Sequence, residues 1–316
     1  MIRRQHPLLI LLVALLTSSA LGQESPCSTR TLLVNVLDQE GKLVEVSADS
    51  FRGKYHRQPI DILSVTSEAQ RPRMVLLLDG SGSVSSSGRW QAEQLLAADI
   101  IRSSPAGSSF ALMVFTDQIR VNVRFAEGLA AVARKLDELP AEPRGKTAIY
   151  DSILTALDEL SPPREGDVIY VITDGADNKS TNGPSQVELR LLNSGVRVFA
   201  YLLVGSLASR GRVPEGTGGP PVLEDLAKHT GGAASSFQVA DSPPHRLSDR
   251  DLATIVLSAR HFFPLMHRAY RIKIAMPPDI DKPRDWTLEV MEGNKKSHLQ
   301  VLYPRLSPCA AGAPSK

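Results

Sequence analysis

MVLLLDGSGS, running from Met74 to Ser83, is the stretch that decides how the rest of the chain is read. Five apolar residues without a polar interruption predict a strand buried on both faces, as at the centre of a parallel sheet. The run stops at Asp79, and open α/β sheets bind their ligands at the carboxyl ends of such strands. There Asp79, Ser81 and Ser83 alternate with Gly80 and Gly82. The glycines let the loop turn tightly enough for the three oxygen-bearing side chains to converge. One carboxylate with hydroxyls, and no Cys or His beside them, suits a hard cation such as Mg²⁺ and not zinc.

Downstream, helix and strand patterns alternate. Trp90–Ser103 reads as a helix with Ala92, Leu96 and Ile100 stacked at four-residue spacing, followed by a strand at Ser108–Phe115. Ile119–Phe125 alternates as a sheet-edge strand would, and Gly128–Leu139 is helical. Ile149, Ile153, Ala156, Leu157 and Leu160 form one apolar helix face. Asp167–Thr173 (DVIYVIT) is a second buried strand ending in an aspartate, Asp174. A helix at Ser185–Asn193 and a strand at Val196–Val204 follow, then a glycine- and proline-dense segment, Gly205–Pro221, read as a mobile surface loop. Val222–His229 is helical, Ser236–Val239 is a short strand, and Leu252, Ile255, Val256, Ala259 and Phe263 mark a last helix. This alternation is the signature of a doubly wound, mostly parallel α/β sheet.

The two ends read differently. Upstream, Leu32–Leu37 is a strand, Asp38–Lys42 a turn and Leu43–Ser47 a returning strand. Phe51–Gln58 looks polar and irregular, Ile60–Thr66 resumes as a strand, and Gln70–Arg73 reads as a hinge into the α/β unit. Beyond Pro264 the period becomes two, through Tyr270, Ile272 and Ile274, then Trp286, Leu288 and Val290, then Leu299, Val301 and Tyr303. Three strands from each end would complete one β-sandwich flanking the α/β domain. The expected division is therefore a leader over 1–22, a β segment over 23–71, the α/β domain over 72–263 and a second β segment over 264–316.

Composition narrows the function. Of 316 residues, 42% are hydrophobic, enough for a real core, and a formal charge of +2 gives no reason to expect nucleic acid as a partner. Arg3 and Arg4 precede the apolar run Leu8–Leu16 and small residues up to Gly22, the layout of a cleaved secretory signal. No later run is apolar for long enough to span a membrane, so an exported, soluble protein is expected. Two cysteines remain, Cys27 and Cys309, and an oxidising compartment favours a disulfide joining the two ends.

Three loops now stand out: Asp79–Ser83, Gly145-Lys146-Thr147 and Thr173-Asp174-Gly175. Together they resemble the von Willebrand factor type A domain and its metal-ion-dependent adhesion site (MIDAS). That family's pattern is Asp-x-Ser-x-Ser on the first loop, Thr on the second and Asp on the third. The resemblance extends over roughly Pro72–Phe263, with Leu226-Ala227, Thr230-Gly231-Gly232 and Phe237 similar to the family's last helix–strand passage. It implies that Ser81 and Ser83 bind the ion directly and that Thr147 does so in one state. Asp79 and Asp174 would act mainly through water. It also implies an ion left open for a protein partner's Asp or Glu carboxylate, and no catalysis. Mg²⁺ fits such a site, and Mn²⁺ or Ca²⁺ are the other ions expected. The flanking β segments resemble those of exported bacterial members of the family.

Other chemistries fit less well. Gly80-x-Gly82 is followed by Ser85 where a dinucleotide-binding loop needs its third glycine. A metal-assisted phosphohydrolase built on Asp79 is the rival reading, but Ser81 stands where its second acid belongs. No serine lies in a G-x-S-x-G elbow. His56, His229, His245, His261, His267 and His298 are scattered, with no pair at zinc spacing. Asp177 and Asn178 read as a solvated turn, and Asn178-Lys179-Ser180 matches a glycosylation acceptor by pattern alone.

Overall fold

The computed structural model describes residues 28–85, 88–140, 144–205, 219–239, 247–278 and 280–308. The leader and both cysteines lie outside the described residues, and so does most of the Gly205–Pro221 loop. In chain order the strands are β1 (Thr29–Leu37), β2 (Phe51–Tyr55), β3 (Gln58–Ile60), β4 (Ile62–Ala69), β5 (Arg73–Asp79), β6 (Ser109–Phe115) and β7 (Ile119–Val123). They continue with β8 (Val168–Thr173), β9 (Arg197–Gly205), β10 (Ala233–Val239), β11 (Arg268–Ala275), β12 (Thr287–Glu292), β13 (Lys295–Lys296) and β14 (Gln300–Leu302). The helices are α1 (Gly82–Ser85), α2 (Arg89–Ser103), α3 (Leu129–Asp137), α4 (Ile149–Glu159), α5 (Pro184–Ser194), α6 (Pro220–His229), α7 (Asp249–Ala259) and α8 (Phe262–His267).

The central sheet has the order β10-β9-β8-β5-β6-β7, parallel except for β7, which runs antiparallel to β6. β5 lies between β6 and β8, so both its edges are hydrogen-bonded and both its faces covered. Met74, Leu76 and Leu78 face a core shared with α2, α3, α7 and α8. Val75 and Leu77 face the opposite core, shared with α4, α5 and α6. That two-sided burial is why the strand reads as an unbroken apolar run. The architecture is the expected α/β fold with flanking antiparallel sheets.

The flanking β layers are two four-stranded sheets, β14-β1-β11-β4 and β13-β12-β2-β3, each drawing strands from both ends of the chain. They enclose a core that includes Val34, Phe51, Ile272, Trp286 and Leu288. β1 is buried on both faces. Val34 and Val36 point into the sandwich, whereas Leu37 joins the α/β core.

Several local expectations are corrected. Leu43–Ser47 is not a strand: β11 occupies the edge of β1 as far as Val34, leaving the returning chain one bridge at Leu37 and one bond to Val36. Phe51–Gln58 is not irregular but forms β2 and most of a hairpin with β3. Its alternation is masked because the middle inward position is Gly53, where a Cβ would lie 3.1 Å from Trp286 and 3.3 Å from Ile60. Its turn residues, His56 and Arg57, have φ of 47° and 67°, a geometry usually announced by Asn-Gly.

The last helix is two. Pro264 has no N–H for the carbonyl of Arg260, and α8 starts afresh after the break and ends at His267. Extended chain therefore begins at Arg268, not Pro264. Pro220 and Pro221, placed in the loop by composition, open the first turn of α6, where a missing N–H costs nothing. At Gln70–Arg73 the chain is pinned. Gln70 N–H donates to His267 O (2.6 Å), and the Arg73 guanidinium forks onto Asp167 (3.0 and 2.5 Å).

Candidate metal centre

The three loops meet at the carboxyl end of β5 and β8. Gly80 N–H donates to Phe115 O (2.7 Å), so the loop leaves β5 pressed against β6. A Cβ on Gly80 would stand 2.9 Å from Val114. Gly82 N–H donates to Gly145 O (3.1 Å), which joins the first loop to the second. Gly145 in turn lies so close to Thr116 that a Cβ would come within 2.6 Å of that side chain. Thr173 Oγ1 donates to Asp79 Oδ2 (2.6 Å), joining the third loop to the first. Thr147 and Asn178 exchange two bonds, Thr147 N–H to Asn178 Oδ1 (3.1 Å) and Asn178 N–H to Thr147 O (3.0 Å).

Within this frame Asp79 is fully buried, Ser81 and Thr147 are nearly so, Asp174 is half-buried and Ser83 is exposed. The hydroxyls of Ser81 and Ser83 lie 3.1 Å apart. Asp79 Oδ1 accepts from Ser81 N–H (2.9 Å). Burial, and then the nearby charge of Asp174, push the Asp79 carboxyl up to about 7, against the opposing hydrogen bonds from Thr173 and Ser81.

Asp174 disfavours the charge on Asp79, and with the paired hydroxyls the two side chains form an oxygen-only donor set that a hard divalent cation would relieve. The residues therefore fit Mg²⁺ or a similar ion. Among the described residues no cluster of three or more His, Cys, Asp or Glu is placed to hold a metal. An ion here would depend on hydroxyl oxygens and water.

The structure adds residues that the sequence reading missed. Glu93, on α2, is fully buried, and its Oε2 accepts from Asp79 N–H (2.7 Å). Burial and the proximity of Asp79 hold its carboxyl well above the usual range. Thr173 is the tie between two loops. Asp177, expected to be solvated, is buried, and its Oδ2 accepts from Ile149 N–H (2.8 Å) and Ser180 Oγ–H (2.5 Å). It caps the start of α4 from another loop, so it supports Thr147 without facing solvent.

The family profile for the von Willebrand factor type A domain matches residues 74–176. No curated protein sequence matches the chain. Similar solved structures include a von Willebrand factor type A protein from Catenulispora acidiphila, at 12% identity and TM-score 0.45, aligned over 89% of this chain and 75% of that one. A conserved hypothetical protein, BatB, from Bacteroides thetaiotaomicron aligns at 16% identity and TM-score 0.41, over 60% of this chain and 98% of that one. Proximal thread matrix protein 1 of the mussel byssus, solved with a zinc-occupied MIDAS motif, aligns at 18% identity and TM-score 0.46, over 67% of this chain and 50% of that one. The profile match over residues 74–176 and the strand order of the central sheet give this chain an α/β fold like that of the von Willebrand factor type A domain.

Proposed function

We propose that this is an exported, non-catalytic binding protein that captures a protein partner through a divalent cation held by Ser81, Ser83 and Thr147, with Asp79 and Asp174 behind them. The observation that carries the reading is the convergence of the three loops, tied through Gly82–Gly145 and Thr173–Asp79, around adjacent serine hydroxyls and an Asp79 whose charge Asp174 disfavours. An ion with few direct carboxylate ligands stays electrophilic and takes an anionic sixth ligand. Lys146 and Lys179 are exposed beside the hydrogen-bonded pair Thr147 and Asn178, which makes the rim basic and favours an acidic partner. Export rests on the leader pattern of Arg3, Arg4 and Leu8–Leu16. The phosphohydrolase alternative fits less well, because both oxygens of Asp79 already accept hydrogen bonds and the carboxylate has no solvent access.

Mg²⁺ or Mn²⁺ is expected to raise the thermal midpoint, since an ion bound only by the native state at about 100 times its Kd adds about 2.7 kcal/mol. The double variant Ser81→Ala/Ser83→Ala should fold with an unchanged midpoint in chelator and lose the metal-induced rise. A variant that keeps the full rise would remove these hydroxyls from the site.

A further inference from the structure

Arg89 and Glu93 are one helical turn apart on α2, and each reaches the backbone of the Asp79–Ser83 loop at one end. Glu93 Oε2 accepts from the N–H of the first loop residue, Asp79, at 2.7 Å. Arg89 Nη1 donates to the carbonyl of the last, Ser83, at 3.3 Å. Both side chains are buried, Glu93 completely and Arg89 to all but 6%. Glu93 Oε1 has no hydrogen-bond partner among the described residues. Helix packing alone does not explain a carboxylate in this position. Its neighbours on the inward stripe of α2 are Trp90, Leu96 and Ala97, and an apolar side chain there would avoid the cost of an unsatisfied buried oxygen.

We propose that Arg89 and Glu93 form a two-point clamp that sets the span of the Asp79–Ser83 loop and so holds the Ser81 and Ser83 hydroxyls convergent for the cation. The inference rests on the metal-binding reading above. The loop is five residues long and carries three of the five expected ion-facing side chains. Between its ends the backbone is also tied at Gly80 N–H to Phe115 O, at Gly82 N–H to Gly145 O and at Ser81 O to Val84 N–H (3.3 Å). Ser81 lies between the two glycine anchors and Ser83 follows the second, at the loop end that Arg89 holds, so fixing the loop ends bears on the spacing of the two hydroxyls. Small displacements of ligands cost a small, octahedral ion such as Mg²⁺ more than they cost a larger, less demanding one. Loss of the clamp should therefore weaken Mg²⁺ more than Ca²⁺. Arg89 and Glu93 act as positioning residues, since neither is placed among the ion-facing groups.

The test is titration of the purified full chain with Mn²⁺, followed by its electron paramagnetic resonance, with Mg²⁺ and Ca²⁺ as competitors. The thermal midpoint is read separately in chelator. Glu93→Ala is expected to weaken Mn²⁺ at least tenfold, and Glu93→Gln, whose amide oxygen can still accept from Asp79 N–H, to restore most of that loss. Arg89→Gln decides the matter by sign. Removing a cation from beside a cation site should tighten binding on charge alone, whereas loss of the clamp weakens it, by at least threefold, and lowers the preference for Mg²⁺ over Ca²⁺. If Arg89→Gln binds Mn²⁺ as tightly as wild type or more so, the clamp is overturned, and Glu93→Ala binding like wild type would do the same. Should Glu93→Ala fail to fold, Arg89→Gln and Glu93→Gln carry the comparison alone. Wild-type protein that binds no Mn²⁺ would sink the metal reading itself and is distinguishable from either result.

Discussion

Asp79→Asn is expected to stabilise the metal-free protein at pH 8 and, in the same molecule, to abolish cation binding. The Asp79 carboxyl rises from an ordinary 3.8 to about 7, first through burial and then through Asp174. A carboxyl with a raised folded-state pKa binds its proton more tightly when folded than when unfolded. It therefore withdraws stability as pH climbs from about 4 through about 7, and the loss is complete above that. Three pKa units correspond to about 4 kcal/mol, and full burial leaves little solvent screening to discount it. Asn removes the charge and keeps an acceptor for Ser81 N–H, so a gain of about 2–4 kcal/mol is expected in chelator at pH 8, shrinking toward zero near pH 4. Denaturant melts of both proteins across that range check it. In excess Mg²⁺ the order should reverse, because only wild type gains from the ion. A variant less stable than wild type at pH 8 without metal would show that Asp79 is not held against its charge.

The second large effect is expected far from the metal. Arg197, at the start of β9, is almost completely buried and has no carboxylate partner among the described residues. Its guanidinium donates to Asn35 Oδ1 on β1 (2.9 Å) and to the carbonyls of Leu265 (3.2 Å) and Met266 (3.4 Å) near the end of α8. It also lies over the ring of Phe199 (5.3 Å to the centroid). Burial pushes its pKa down to about 10, and the negative end of a helix supplies part of what a carboxylate would. Asn35 Nδ2 donates onward to Arg268 O (2.6 Å), so one side chain joins the α/β sheet, the last helix and the sandwich. Arg197→Ala strands three buried acceptors and opens a cavity, and should cost about 4 kcal/mol. Chemical denaturation would measure it. A loss under about 1 kcal/mol would mean that water replaces the guanidinium without penalty.

How much of this could be read from sequence follows from what burial does to a pattern. β5 and β8 were legible because a strand covered on both faces has no polar position, and the aspartate ending each run marks the end of the sheet. The sandwich was legible only where alternation survives. Gly53 interrupts it in β2, and the turn at His56-Arg57 reaches positive φ without the residues that announce it. Glu93 escaped notice because a charged residue inside an amphipathic helix pattern ordinarily faces water. Its role appears only once the chain brings Asp79 N–H within 2.7 Å. Arg197 and Asp177 were missed for the same reason, since each is a charge whose partners come from distant segments.

The most direct measurement is the anomalous difference map of a crystal grown with Mn²⁺. One ion is expected at the end of β5, bonded to the hydroxyls of Ser81 and Ser83, with Thr147, Asp79 and Asp174 around it. A crystal holding Mn²⁺ elsewhere, or none, with those two hydroxyls bonded only to protein, would contradict the cation-mediated function.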